Sequence, residues 1–156
     1  MKARTQARAA ARLAAVQALY QMDVAGKGIA EVTAEFETHW IGGSIEGEDY
    51  LPAELAFFRN IVEGVVRDQQ ALDVMVDGSL QKGWPLRRIE AVLRAVLRAG
   101  AYELKKRKDI PARVIISEYV DVAAAFYERE EAGLANGVLD ALAHELRAAE
   151  FEKPRT

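Results

Sequence analysis

The chain has no cysteine among its 156 residues. This absence excludes a disulfide framework, a cysteine-ligated zinc site and a thiol nucleophile. Histidine is scarce too, because only His39 and His144 are present, far apart in the chain, so a metal centre is not expected. No apolar run approaches the roughly 20 residues of a membrane span, and the N-terminus lacks the apolar core of a secretory signal. We therefore predict a cytoplasmic protein without a metal or another cofactor.

The residues that are present suit one compact domain. Hydrophobic residues make up 51% of the chain, enough for a substantial core, and charged residues make up 29%. A domain of this length buries roughly 70% of the surface of its unfolded chain. We predict one domain over residues 1–151 and a frayed tail at residues 152–156.

Apolar residues recur at helical spacing along most of the chain, and this predicts an all-α bundle of about seven helices. No segment alternates as a strand does. Asn136-Gly137 alone is typical of a hairpin turn, but the helical spacing on both sides favours a helix there. The expected elements are a helix at residues 5–22 that Gly26 and Gly28 end, an amphipathic segment around residues 32–40, a loop at residues 42–50, a helix from Pro52 to about Val76, a break at residues 82–85, and helices at 86–104, 111–126 and about 134–150.

Charge is distributed unevenly. The net charge is −3, but residues 1–22 contain four basic residues and no acid. The rest of the chain contains 17 basic residues against 24 acids. A basic N-terminal arm on an acidic body indicates a local anionic partner.

The arginines of this arm are regularly spaced. Arg4, Arg8 and Arg12 lie at i, i+4 and i+8, so on a helix their guanidinium groups form one ridge. Their mutual repulsion is a few tenths of a kcal/mol, and a bound polyanion turns it into attraction. The planar donor fork of arginine also matches phosphate. The alternative interpretation is an ordinary solvated face or a frayed start of the chain.

Two other charged groups have simpler structural interpretations. Arg94, Arg98 and Tyr102 form a stripe on the central helix, and we expect Arg98 to meet Glu118. The cations at residues 105–108 suit the negative end of the same helix, although a second anion-binding patch is an alternative.

Six fragments resemble the NusB family of transcription antitermination factors, in the family's order and over most of the chain. The resemblance implies an all-helical, non-enzymatic protein that binds the boxA element of ribosomal RNA leader transcripts. It implies two partners, NusE, which is a small-subunit ribosomal protein, and an antitermination complex on RNA polymerase. The fragments are AVQALYQ from Ala15, FFRNIVEGV from Phe57, Trp84-Pro85-Leu86, LRAGAYEL from Leu97, IPARVIISEYVDVA from Ile110, and NGVLDALA from Asn136.

The resemblance also implies RNA contacts along the N-terminal arm. Phosphates are expected at Lys2, Arg4, Arg8 and Arg12, and the base preference at Tyr20 and around Asn136. A half-buried core tyrosine is the alternative interpretation of Tyr20. This chain departs from the family's pattern in two places. Relatives often have consecutive arginines where Ala9-Ala10-Ala11 separates Arg8 from Arg12, and they usually have Phe-Val where this chain has Leu134-Ala135. Both departures predict weaker binding. Fewer arginines make fewer phosphate contacts, and leucine cannot stack on a base, where stacking contributes ~1–3 kcal/mol per base.

Two alternatives stay open at this stage. The first is a protein-interaction module or homodimer of the same fold with weakened RNA binding, since a dimer seam and a bundle core share one apolar spacing. The second is a truncated N-terminal domain of a ribosomal RNA cytosine methyltransferase, where NusB-like domains also occur. The sequence up to Thr156 has neither a nucleotide-binding βαβ region nor a cysteine nucleophile, which disfavours that enzyme.

Overall fold

The computed structural model describes residues 2–42, 51–80 and 89–152, and side chains within 6–38, 54–80 and 89–152. Those ranges form six α-helices, one short 3-10 helix and no strand, which confirms the predicted all-α bundle. The elements are α1 (Lys2–Ala25), α2 (Ile29–Gly42), α3 (Leu51–Ser79), α4 (Ala91–Lys106), α5 (Ala112–Phe126), α6 (Arg129–Leu146) and the 3-10 helix Ala148–Phe151.

The first helix ends where the sequence predicts. Gly26 has a φ of 68°, and its N–H donates to the Met22 carbonyl at 3.2 Å. A left-handed glycine just past the last turn is a common way to end a helix. The predicted loop at 42–50 lies outside the described part except for Gly42, the last residue of α2. The predicted break at 82–85 and the Trp84-Pro85-Leu86 fragment also lie outside the described part.

The bounds of two later helices differ from the predictions. Helix α4 begins at Ala91 rather than Leu86, after Glu90 as its N-cap residue. Helix α6 begins at Arg129 rather than Leu134, and it ends at Leu146 before the 3-10 helix. Apolar spacing missed the first turn of α6 because that turn is charged. Acids there suit the positive end of a helix dipole.

Helix α4 is the centre of the bundle and packs against α1, α3, α5 and α6. Its residues 95–97 and 99–104 are all buried, which places its C-terminal half in the core, while Arg94 and Arg98 lie on its partly exposed side. Glu103 is the charged exception, with no exposed surface. None of the helices in the described segments has the length and apolar character needed to cross a bilayer.

Small residues let the neighbouring helices approach α4 closely. A Cβ added at Gly64 of α3 would come within 2.2 Å of the Tyr102 ring, and one at Gly100 within 2.8 Å of Leu139 in α6. Helix α1 contributes an alanine face. Its buried alanines are Ala7, Ala11, Ala14, Ala15 and Ala18.

Ion pairs fix the far end of α1 to α4 and α3. Asp23 accepts a hydrogen bond from Arg94 at 2.8 Å. Arg98 donates to both carboxylate oxygens of Asp73, at 2.7 and 3.0 Å, and also lies 3.5 Å from Asp23. The prediction that Arg98 meets Glu118 is therefore wrong. The negative charge of Glu118 instead acts on Arg12.

Candidate nucleic-acid interface

Three arginines surround the ring of Phe57, near the start of α3. The guanidinium carbons of Arg8, Arg12 and Arg107 lie 5.0, 5.0 and 5.1 Å from the ring centroid. These distances are within the roughly 6 Å reach of cation–π attraction. Because the ring is only 5% exposed, Phe57 is a fixed apolar support for basic side chains from three parts of the chain. We call Arg8, Phe57, Arg107 and Asp109 the arginine cluster.

Arg12 lies in the interior beneath this cluster. Its side chain is 2% exposed, and Nε and Nη2 donate to Oε2 and Oε1 of Glu103 at 2.8 and 3.0 Å. The Tyr119 hydroxyl donates to the same carboxylate. Burial alone would lower the pKa of Arg12, but its hydrogen bonds to Glu103 and the charge of Glu103 outweigh burial and raise it. Burial is also the main reason why the pKa of Tyr119 lies well above its ordinary value.

The Arg12 side chain is therefore buried in the core, and the predicted arginine ridge is not open to solvent at this residue. The guanidinium is already used in the core, so we do not carry Arg12 forward as a phosphate contact. The sequence contained the signal for this outcome. Val16 and Leu19 lie at i+4 and i+7 from Arg12 and are both buried, so Arg12 lies at the head of the apolar stripe as well as on the basic face.

Arg8 lies one turn before Arg12 and is half-buried. Its guanidinium rests against Phe57 and acts electrostatically on Asp109. Lys2 and Arg4 belong to the first turns of α1, but their side chains are outside the described part. Arg8 is thus a predicted phosphate contact whose side chain is described and is partly exposed.

Arg107 is a member of the cluster that the sequence interpretation did not connect with Arg8; the sequence groups it with residues 105–108 as helix-end cations or a second anion-binding patch. It follows α4 as its C-cap residue, and its Nε and Nη2 donate to Oδ1 and Oδ2 of Asp109, both at 3.0 Å. Its Nη1 donates to Asn60 Oδ1 at 3.1 Å. The hydrogen bonds from Arg107, its charge and the charge of Arg8 lower the pKa of Asp109 to about 2. In the sequence, Arg107 looked like one of four cations at a helix end.

Arg147 fixes the turn that carries Arg107 and Asp109. This buried side chain donates to four backbone carbonyls at the end of α4 and in the next turn. Helix C-termini leave several carbonyls without intrahelical partners, although those of Glu103 and Arg107 here also accept a backbone N–H. The acceptors are the carbonyls of Leu104 at 2.7 Å, Arg107 at 2.8 Å, Ile110 at 3.0 Å and Glu103 at 3.2 Å.

The two predicted base-contacting residues lie elsewhere. Tyr20 is 37% exposed, twelve residues beyond Arg8 and about 18 Å further along α1. Asn136 is exposed in α6 and lines a groove of about 370 Å³ between α5 and α6, together with Arg113, Asp121 and Asp140 among others. The described contacts do not join Asn136 to the arginine cluster. Leu134 is partly buried against the core.

The cations at residues 105–108, for which a second anion-binding patch was the alternative prediction, differ in their exposure to solvent. Lys106 and Lys108 are exposed, and Lys105 is half-buried. Lys108 Nζ donates to the Leu146 carbonyl at 3.2 Å, so it interacts with the last turn of α6 rather than of α4. A cation there suits the negative end of a helix dipole.

Comparison with known sequences gives one family. The NusB family model matches residues 9–144. The transcription antitermination protein NusB of Bradyrhizobium diazoefficiens is 66% identical over 144 residues, which cover 92% of this chain and 87% of the relative. The NusB protein of Nitrobacter hamburgensis is 64% identical over 146 residues, which cover 94% and 91%.

Solved structures agree. NusB of T. maritima superimposes with a TM-score of 0.77 at 28% identity, over 94% of this chain and 97% of that one. The solution structure of NusB from Aquifex aeolicus gives a TM-score of 0.70 at 25% identity, over 96% and 95%. A chain from a crystal structure described as a plectonemic RNA supercoil gives 0.75 at 25% identity, over 94% and 99%.

Proposed function

Because the chain belongs to the NusB family of transcription antitermination proteins, we propose that it is a non-enzymatic RNA-binding factor. In this proposal it binds the boxA element of ribosomal RNA leader transcripts together with NusE, within an antitermination complex on RNA polymerase. The family and its link to transcription antitermination are the premise. The RNA element and the two partners are the proposal.

The position of Arg8 is the observation that carries the proposal. Arg8 is a half-buried arginine on the basic face of α1, supported by the buried Phe57 ring 5.0 Å away. An arginine that is already ordered loses less rotamer freedom when it binds a phosphate, and its fork matches phosphate oxygens. A basic arm on an otherwise acidic chain also concentrates attraction for RNA at this end.

The proposed roles divide along the chain. Lys2, Arg4 and Arg8 contact phosphates and give the salt-dependent part of the affinity. Tyr20, exposed on the same helix, stacks on a base. Asn136 on α6 makes a polar base contact. Arg12 has no direct role, because its guanidinium is committed to Glu103.

One structural neighbour supports an RNA ligand. The crystal structure described as an RNA supercoil contains a chain with this fold, and that chain aligns over 94% of the protein. The relatives described as transcription antitermination proteins point to a transcript as the ligand.

The test is a titration of a fluorescent boxA-type RNA with the full chain, with and without NusE, over a range of salt concentrations. We expect binding that strengthens with NusE and exceeds binding to a scrambled RNA. Three phosphate contacts on single-stranded RNA predict a log–log salt slope of about −2. Arg8→Ala should weaken binding and make that slope about 0.7 less steep.

Arg67→Ala is the matched control. Arg67 is an arginine of α3 whose side chain is 63% exposed and is paired with Asp68. This substitution removes the same charge away from α1. It should leave the affinity within about twofold. If the wild-type protein binds boxA no better than scrambled RNA, even with NusE present, the proposed function is wrong.

A further inference from the structure

We infer that Arg107 is a further phosphate-binding residue for the RNA, and that the Asp109 carboxylate occupies its donor fork until a phosphate of the RNA replaces it. This inference rests on the proposed RNA-binding function and extends the binding surface from α1 to the turn after α4. It also gives Asp109 a role as an internal competitor of the RNA.

The geometry of the pair is that of a phosphate site already filled by a carboxylate. Nε and Nη2 of Arg107 each donate at 3.0 Å to a different oxygen of Asp109. Arginine makes the same two parallel hydrogen bonds to phosphate oxygens. A phosphate that replaced the carboxylate would therefore find the donors already oriented. The Arg107 side chain need not move, since Asn60 and Phe57 fix it from the other side.

The exposed fractions of the two side chains indicate that Asp109 is the one that an RNA phosphate can displace. The Asp109 side chain is 58% exposed, whereas that of Arg107 is 21% exposed. The carboxylate thus covers the donor fork from the solvent side. Ion pairs between exposed groups contribute little net stability, so an RNA phosphate exchanges for this carboxylate at small cost. The turn itself remains in place because Arg147 binds its carbonyls from within.

Arg8 makes this exchange favourable for a polyanion. Its guanidinium shares the Phe57 ring with that of Arg107, each about 5 Å from the centroid. The two cations therefore lie next to one another, and the nearby Asp109 offsets part of their charge. An RNA phosphate at this position meets both arginines, and the displaced carboxylate turns to water. Arg12 adds no comparable attraction, because the buried Glu103 neutralises it.

The experiment is a double-mutant cycle on the boxA titration with NusE, in the full chain. Asp109→Asn keeps the size and an acceptor oxygen of the side chain but removes its charge. It should bind RNA about 3- to 5-fold more tightly than the wild type at low salt. Arg107→Ala should bind more weakly and make the salt slope about 0.7 less steep. In the Arg107→Ala background, Asp109→Asn should give no further tightening.

Two variants control for trivial causes. Asp68→Asn removes the charge of another arginine-paired aspartate, whose Oδ1 and Oδ2 lie 3.3 Å from Arg67. Asp68 is eleven residues beyond Phe57 and about 16 Å along α3. It should not tighten binding as Asp109→Asn does. Arg107→Lys keeps the charge but loses the fork, and its affinity should fall between those of the wild type and Arg107→Ala. Thermal melting of each variant confirms that it is folded.

The outcomes separate this inference from the function on which it rests. If wild-type protein binds boxA and Arg8→Ala weakens it, but Asp109→Asn fails to tighten binding, Asp109 is only a structural partner of Arg107 and the inference is wrong. If Asp109→Asn and Asp68→Asn tighten binding equally, the gain comes from net charge alone, and the inference is wrong in that case as well. If the wild type does not bind boxA specifically, the proposed function and this inference fall together.

Discussion

Arg12 and Glu103 form a bidentate ion pair inside the bundle, and this pair joins α1 to α4. The two hydrogen bonds measure 2.8 and 3.0 Å, and neither side chain is more than 2% exposed. The Tyr119 hydroxyl completes the carboxylate's partners from α5. One turn earlier, Arg8 rests half-buried against the same Phe57 ring that Arg12 contacts. One face of α1 thus has Arg12, which stabilises the fold, one turn away from Arg8, which is suited to binding a ligand.

The first prediction separates these two arginines by stability. Arg12→Ala leaves Glu103 buried without its cation, so the free energy of unfolding should fall by about 3–5 kcal/mol. Arg8→Ala removes a half-buried cation–π contact and leaves no buried charge without its partner, so it should cost much less than Arg12→Ala. Urea denaturation followed by circular dichroism measures both.

A paired substitution checks the cause of this loss. In the double variant Arg12→Met/Glu103→Met neither charge of this pair remains, so part of the stability lost in Arg12→Ala should return, less the cost of leaving the Tyr119 hydroxyl without its acceptor. Losses of similar size in Arg12→Ala and Arg8→Ala would mean that the buried ion pair does not form in solution.

The second prediction concerns the crossing of α4 and α6. A Cβ at Gly100 would lie 2.8 and 2.9 Å from the two methyl carbons of Leu139, and Leu139 is fully buried. Gly100→Ala should therefore destabilise the protein by about 1–3 kcal/mol, although alanine is the better helix former. Gly133→Ala in α6, where nothing lies within 4 Å, should instead stabilise it by up to about 1 kcal/mol. Urea midpoints at an unchanged m-value distinguish the two. Equal shifts in the same direction would contradict the close packing at Gly100.

The helices were predictable because their signals are local. Gly26 ends α1 where its left-handed backbone favours glycine, and the apolar spacing of residues 93–104 marks the central helix. The arginine cluster was only half predictable. The spacing of Arg8 and Arg12 places them on one face, as observed. The position of Arg12 at the head of the apolar stripe also signals its burial, but its partner Glu103 lies 91 residues further along the chain. No local pattern in the sequence encodes that contact.

The same reason explains why the sequence did not place Arg107 beside Arg8 and did not reveal the role of Arg147. In the sequence Arg107 is one of four successive cations, and Phe57, which makes it special, belongs to another helix. Arg147 follows α6, but its carbonyl acceptors are at the end of α4. Contacts between distant segments set the chemistry of this site, whereas periodicity reports only which face of a helix is apolar.

The third prediction follows from those carbonyl contacts. Arg147→Met removes the guanidinium donors from four backbone carbonyls. Those of Glu103 and Arg107 still accept a backbone N–H, so the loss comes mainly from the carbonyls of Leu104 and Ile110, and each buried carbonyl that stays unsatisfied costs roughly 1–3 kcal/mol. We expect a loss of at least about 2 kcal/mol. Arg147→Lys should recover only part of it, because one ammonium group lacks the fork that reaches several acceptors.

Hydrogen exchange locates the effect of Arg147. In Arg147→Lys the amides of residues 107–110 and 112 should exchange faster, while those in the middle of α4 keep their protection. Uniform acceleration over the whole bundle would show that Arg147 acts on global stability and not on this turn.

The fourth prediction concerns acid. Hydrogen bonds from Arg107, its charge and that of Arg8 lower the pKa of Asp109 from 3.8 to about 2. A carboxyl whose pKa is lower in the folded state favours folding above its unfolded pKa, and this contribution disappears as the pH falls through the folded pKa. The contribution of Asp109 should thus be complete above about pH 4.5 and vanish by about pH 1.5. Because the side chain is mostly exposed, its size should be below about 1 kcal/mol.

Urea midpoints measured from pH 5 to pH 2 should fall less steeply for Asp109→Asn than for the wild type. Arg107→Lys should flatten the curve in the same window to a smaller extent, since the lysine keeps its charge near Asp109. If both variants follow the wild-type curve throughout, the Arg107–Asp109 pair is not populated in solution, and the carboxylate does not cover the donor fork.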